Sequence, residues 1–173
     1  MRRALRGPDR DALPIGEALH PVTLAAVALL LLNDWVLKAR FRGSFVTGKL
    51  SDIAGLIFAP VVLSAAIGMV LWGAKKLGAR GDPRSGSTLT HRRLILCCAA
   101  TALGFAVVKL YPPVGDVVAR MIGHGASFYP DWTDVLCTPC VLIAYWIGRD
   151  ELDLLGRSRL DHQAIDESRN IRT

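Results

Sequence analysis

The chain is 173 residues long, 51% hydrophobic yet only 7% aromatic, and carries a net charge of +6. Its apolar content is therefore aliphatic and has to be gathered into runs, while the basic loops of a membrane protein account for the charge without any nucleic-acid partner. No P-loop, glycine-rich nucleotide turn, HExxH or GxSxG occurs, and no metal-ligand spacing beyond one CxxC, so neither a cofactor nor a metal is expected.

Residues 1–20 form a basic N-terminal arm with Arg2, Arg3, Arg6 and Arg10. An apolar run over 22–32 continues through Asn33, Asp34 and Trp35 to Leu37, which predicts a first helix over about 21–38. No small-x-small cleavage pattern follows it, so the arm is expected to stay attached rather than leave as a signal peptide. The second helix is expected over about 52–73, where residues 53–73 hold a single polar side chain, Ser64, enough apolar length to cross a hydrocarbon core of about 30 Å. Residues 80–90, RGDPRSGSTLT, read as a polar linker.

The third helix, over about 93–109, is interrupted only by Thr101 and is flanked by Arg92, Arg93 and Lys109 as interfacial anchors. In the loop beyond it, Val114, Val117, Val118, Met121 and Ile122 share one face of a short helix, with Asp116 and Arg120 opposite, a pattern suited to a membrane surface. His124, alone between glycines, is not read as a ligand. A fourth helix is expected over about 133–148, and residues 149–173 form a polar tail with a short fraying helix. Trp35, Trp72, Trp132 and Trp146 fall near helix ends, as an aromatic belt requires.

Four spans make the chain an all-α integral membrane four-helix bundle, with the lipid bilayer as its first partner. The arm, the central linker and the tail then share one side and hold 15 of the 21 lysines and arginines, which puts both termini in the cytoplasm. The linker also divides the bundle into two hairpins of similar plan: helix, lysine (Lys38 or Lys109), outer loop, Ser51-Asp52 or Thr133-Asp134, helix, proline (Pro60 or Pro139). Parallel repeats of this kind occur among transporters.

Asp52 and Asp134 thus hold equivalent places, and two readings stay open. In one, Ser51 and Thr133 cap their helices and the carboxylates meet the positive end of the helix dipole. In the other, Lys49, Asp52 and Asp134, with Asn33, Asp34, Lys38 and Lys109, form a polar mouth facing outward, since ionisable groups at membrane depth usually face each other or a cavity. Such a mouth suits a non-enzymatic protein that binds or passes a small cation, proton or polar solute, or serves as a membrane-embedded subunit. Self-association or a membrane-complex partner fits so small a chain, and no residue points to either.

CTPC, with Cys137 and Cys140, carries the alternative. A CxxC near a helix start is a redox dithiol in many proteins, and this one resembles the vitamin K epoxide reductase family, four-helix membrane enzymes with a CxxC in the last core helix. That resemblance implies a thiol-disulfide oxidoreductase. Those enzymes relay electrons through a second cysteine pair in an outer loop, whereas Cys97 and Cys98 here lie toward the other end of the third helix.

Three stretches carry a further resemblance: HPVTLAAVALLLLND, VTGKLSDIAGLIFAP and DWTDVLCTP. They are similar to the landmarks of an uncharacterised group of bacterial four-pass membrane proteins: His-Pro before the first helix, Asn-Asp closing it, TGKLSD opening the second and D-x-T-D opening the last. The resemblance implies a bacterial inner-membrane location and a site around Lys49, Asp52 and Asp134, and no activity. A looser likeness is to the VanZ-like membrane proteins, from which no residue is carried over.

Overall fold

A computed structural model describes residues 15–41, 44–78, 89–122 and 131–170. Most of the N-terminal arm, most of the 80–90 linker and His124 lie outside them. The described residues are all-helical, with no strand.

The first rod, α1, spans Pro21–Arg40. It starts sharply because Pro21 presets the helical φ while His20 stays extended (ψ 136°) and its Nδ1 accepts from the Val22 amide at 3.2 Å. Near its far end the rod widens into a π-helical turn, Asn33–Leu37, before a last α-helical turn, Lys38–Arg40. Asn33, the first residue of that turn, faces fully inward, with none of its surface exposed.

The longest helix, α2, spans Phe45–Lys76. It begins well before the residue 52 expected of it, because the Ser44 carbonyl already accepts from Gly48 N and from Thr47 Oγ1. The capping role expected of Ser51 is therefore corrected: Ser51 and Asp52 lie past the first turn, where no backbone N–H is left to cap. Pro60 sits inside α2, fully buried, and has no N–H to donate to the Leu56 carbonyl. α2 ends in a turn at Leu77 and Gly78, and the φ of 82° at Gly78 suits glycine.

Helix α3 spans His91–Leu110, with Thr90 Oγ1 accepting from Arg93 N at its start. Of the two expected anchors there, Arg92 is exposed but Arg93 is buried, turned into the bundle. A short helix, α4, follows over Pro112–Ile122, with Val117 and Met121 exposed.

The last stretch differs most from expectation. Trp132–Cys140 is a 3₁₀ helix, and α5 runs unbroken over Val141–Asn170, so the fourth expected span is split and shares its helix with the tail. Pro139 explains the split: its ring disfavours α geometry in the residue before it and supplies no N–H to an i−4 carbonyl. Thr133 is not the cap here either. Asp131 is, its Oδ1 accepting from Thr133 N at 2.8 Å.

Leu56, Val61, Leu94, Cys98, Val141, Ala144 and Ile147 form the centre of the core. Gly148 of α5 packs flat on Leu94, where a Cβ would collide with the leucine methyls. Meanwhile Leu96, Leu103, Val70 and Leu142 stand about two-thirds exposed or more, and Thr23, Asn33 and Ser64 are buried. An aliphatic exterior with several polar side chains buried in the core departs from the pattern of a protein in water, and fits one whose helices face lipid. Three helices, Pro21–Arg40, Phe45–Ala74 and His91–Leu110, are long and apolar enough to cross a membrane.

Candidate functional site

The last turn of α1, the first turns of α2, the end of α3 and the start of the 3₁₀ helix meet at one end of the bundle, the hairpin end. Lysines and aspartates from three elements meet there. Helix α2 contributes Lys49 and Asp52, which lie close enough in register to point toward the same neighbours. Helix α3 contributes Lys109 from its last turn, and the 3₁₀ helix contributes Thr133 and Asp134 from its first.

Lys109 Nζ donates to Asp52 Oδ2 at 3.0 Å and to Asp134 Oδ2 at 2.6 Å. The other oxygen of Asp134 accepts from Lys49 Nζ at 2.6 Å. Lys49 also donates to Thr133 Oγ1 at 2.8 Å, and that hydroxyl in turn donates to Asp131 Oδ1 at 2.7 Å. The result is one chain of charge-assisted bonds, Asp131–Thr133–Lys49–Asp134–Lys109–Asp52. Both lysines also rest near aromatic rings, Lys49 over Phe45 at 4.4 Å and Lys109 by Phe105 at 5.5 Å.

The four central side chains keep 10–20% of their surface exposed, so the network is sheltered but not sealed. Its two ammonium groups balance its two inner carboxylates, which removes most of the cost of holding ions at the edge of an apolar bundle. Asp131, outside the apolar spans, is held below the usual carboxylate range by the hydrogen bonds from the Thr133 hydroxyl and amide.

Asn33, Asp34 and Lys38 form an adjoining branch. Asn33 Nδ2 donates to Thr47 O at 2.8 Å and to Ser51 Oγ at 2.7 Å; Ser51 donates to Asp34 Oδ1, which also pairs with Lys38 Nζ at 2.6 Å. Asp34 and Lys38 are each over 40% exposed, so that pair is a solvated rim. Asn33 is the buried member, and its Oδ1 lacks a hydrogen-bond partner. Ser51 and Asp52, adjacent on α2, join the two branches, so every wall of the bundle is tied at this end.

Cys137 stands one 3₁₀ turn beyond Asp134, buried, and Cys140 one turn further; both are free thiols. In a 3₁₀ helix residues three apart eclipse, so the two cysteines share a face. Cys97 and Cys98 are buried toward the opposite end of α3 and cannot serve as an outer-loop relay pair.

The sequence does not announce Thr133 as a bridge or Asp131 as the cap. The D-x-T-D spelling held both, but a hydroxyl that links two charges looks in sequence like one that caps a helix. Glu17, Arg93 and Glu151, buried at the other end of the bundle, were also out of sight; Ser64, alone in its apolar run, was the available hint. Compared with known protein families, characterised proteins and solved structures, the chain has no significant match.

Proposed function

We propose that this chain is a four-pass membrane protein whose hairpin end opens outward and binds or passes a small cation or a proton. The 3₁₀ helix and the first turns of α5 make the fourth span, both termini lie in the cytoplasm by the distribution of lysine and arginine, and the TGKLSD and D-x-T-D landmarks favour a bacterial inner membrane. The observation that carries the functional reading is the position of Lys109. Its ammonium sits between Asp52 and Asp134, in the place a free cation would occupy between two carboxylates.

Exchange follows from that geometry. A cation or proton that takes one carboxylate frees Lys109 to move toward the other, so occupancy and the α2–α3 tie change together. A purely structural network needs no such exchange. Thermal unfolding in lipid nanodiscs, with sodium, potassium, ammonium, magnesium or calcium added at constant ionic strength, separates the two. Stabilisation by one cation that vanishes in Asp52→Asn supports the proposal; equal response to all salts in wild type and variant sinks it.

A thiol-disulfide role for Cys137 and Cys140 is the second reading, favoured by their shared face on the 3₁₀ helix. It requires a disulfide that forms and breaks reversibly, and thiol alkylation after controlled oxidation reads this directly. Two thiols that remain alkylatable throughout remove the redox reading and leave the cation reading untouched.

A further inference from the structure

The end of the bundle opposite the Lys109 network holds a second polar cluster. Glu17, in the turn that precedes α1, is 3% exposed, and Glu151 of α5 is 4% exposed. Arg93 of α3 and Ser64 of α2, both buried, complete it, with Arg93 Nε donating to Ser64 Oγ at 3.2 Å. Four separate elements deliver polar side chains to one interior position, which a helix cap or a surface ion pair does not require.

The approach is close and fixed. Gly16 lies so near Glu151 that a Cβ there would collide with Glu151 Oε1. The Glu17 carbonyl accepts from Thr23 Oγ1 at 3.2 Å, and His20 both caps α1 and points Nε2 at Asp150 Oδ2, 3.5 Å away. Glu17 therefore cannot swing out to water without undocking the segment that starts the first helix.

Within that pocket Glu17 Oε1 has no hydrogen-bond partner, and Arg93 Nη2 stands 3.9 Å from it, near enough for ion-pair attraction but too far to donate a hydrogen bond. An ionised carboxylate there leaves an acceptor unsatisfied out of water beside a second carboxyl group, whereas a protonated one gains a donor and loses the repulsion. We infer that Glu17, braced by Ser64, Arg93 and Glu151, is a proton-binding site at the N-terminal end of the bundle, separate from the Lys109 network. It stands whether or not that network binds a cation.

The electrostatics agree. Burial pushes the Glu17 carboxyl up to about 7, with Ser64 and Arg93 pulling it down and Glu151 raising it further. Among the described residues, the titratable groups that face it are Arg93 and Cys97 from α3 and Glu151 from α5, while α2 presents Ser64; Thr23 of α1 bonds the Glu17 backbone carbonyl. The His20 imidazole lies 3.5 Å from Asp150 Oδ2.

Infrared titration of the purified protein in lipid nanodiscs tests this, because a protonated carboxyl has a carbonyl stretch that no histidine or cysteine shares. Wild type should show such a band that disappears as pH rises through neutrality. Glu17→Gln should lack it, Glu17→Asp should keep it at a shifted frequency, and Asp52→Asn should leave it unchanged. Absence of any carboxyl band above pH 6 in folded wild type overturns the inference, whatever the variants do. So does a band that survives intact in folded Glu17→Gln.

Discussion

Lys109 Nζ lies 2.6 Å from Asp134 Oδ2 while Lys49 Nζ holds the other oxygen of the same carboxylate, also at 2.6 Å. Asp134 is thus gripped from two helices, whereas Asp52 has Lys109 alone, at 3.0 Å. The two aspartates, equivalent in sequence, are unequal in structure.

That inequality sets the first expectation. Asp134→Asn leaves two lysines short of their shared partner and should cost about 3 kcal/mol, while Asp52→Asn removes one longer bond and should cost about 1.5 kcal/mol. The double variant should lose less than the sum, since Lys109 serves both. Thermal or denaturant unfolding in detergent measures all three; strictly additive losses would mean two independent contacts.

Asn33 offers a second test. Its amide satisfies the Thr47 carbonyl and Ser51 across the α1–α2 contact while its own Oδ1 has no partner. Asn33→Leu should destabilise by about 2 kcal/mol, because both hydrogen bonds its amide makes across the α1–α2 contact are lost. Asn33→Asp should be worse still, placing a charge at a fully buried position. A leucine variant as stable as wild type would show that Asn33 is there for something other than packing.

Gly148 and Leu94 measure the closeness of α3 and α5. Gly148→Ala should cost about 1–3 kcal/mol as overpacking, since Leu94, 1% exposed, has little room to move. Leu94→Ala combined with it should recover part of the loss. If the double variant is instead the sum of the singles, the helices do not meet at these two residues.

The pH dependence of stability has two parts. Glu17 rises from 4.5 to about 7 on folding, so the folded state holds the extra proton between those values. Its contribution is complete below pH 4.5 and is lost as pH rises through about 7, a change of roughly 3 kcal/mol at most. Asp131 works in the other direction: its carboxyl is lowered by Thr133, so its contribution is present above the ordinary aspartate range and is lost as pH falls below it. Unfolding curves of wild type minus Glu17→Gln, collected from pH 4 to 8, isolate the first part, and a flat difference would refute it.

The sequence made parts of this architecture legible and hid others. Apolar runs located three of the helices because lipid-facing helices must be apolar nearly all round, which periodicity cannot disguise. The partners of Lys49 and Lys109 were legible as a group, since charged residues at the ends of such runs have few places to go. Their pairing was not, because it depends on α2 starting at Phe45 and on Pro139 converting the segment before α5 to a 3₁₀ helix. Arg93 misled for the opposite reason: beside Arg92 it looks like an interfacial anchor, and its interior partners, Ser64 and Glu17, lie far away in the chain.

The π-helical turn at Asn33–Leu37 leaves α1 with one residue more than its axial length needs. Everything before Asn33 is phased by the core, and everything after it by the hairpin. A descendant of this chain that lost one residue from 34–37 would therefore keep Asn33 facing Thr47 and keep the helix length. Length variation inside a membrane helix is ordinarily ruinous, and this turn marks the point in α1 that tolerates it.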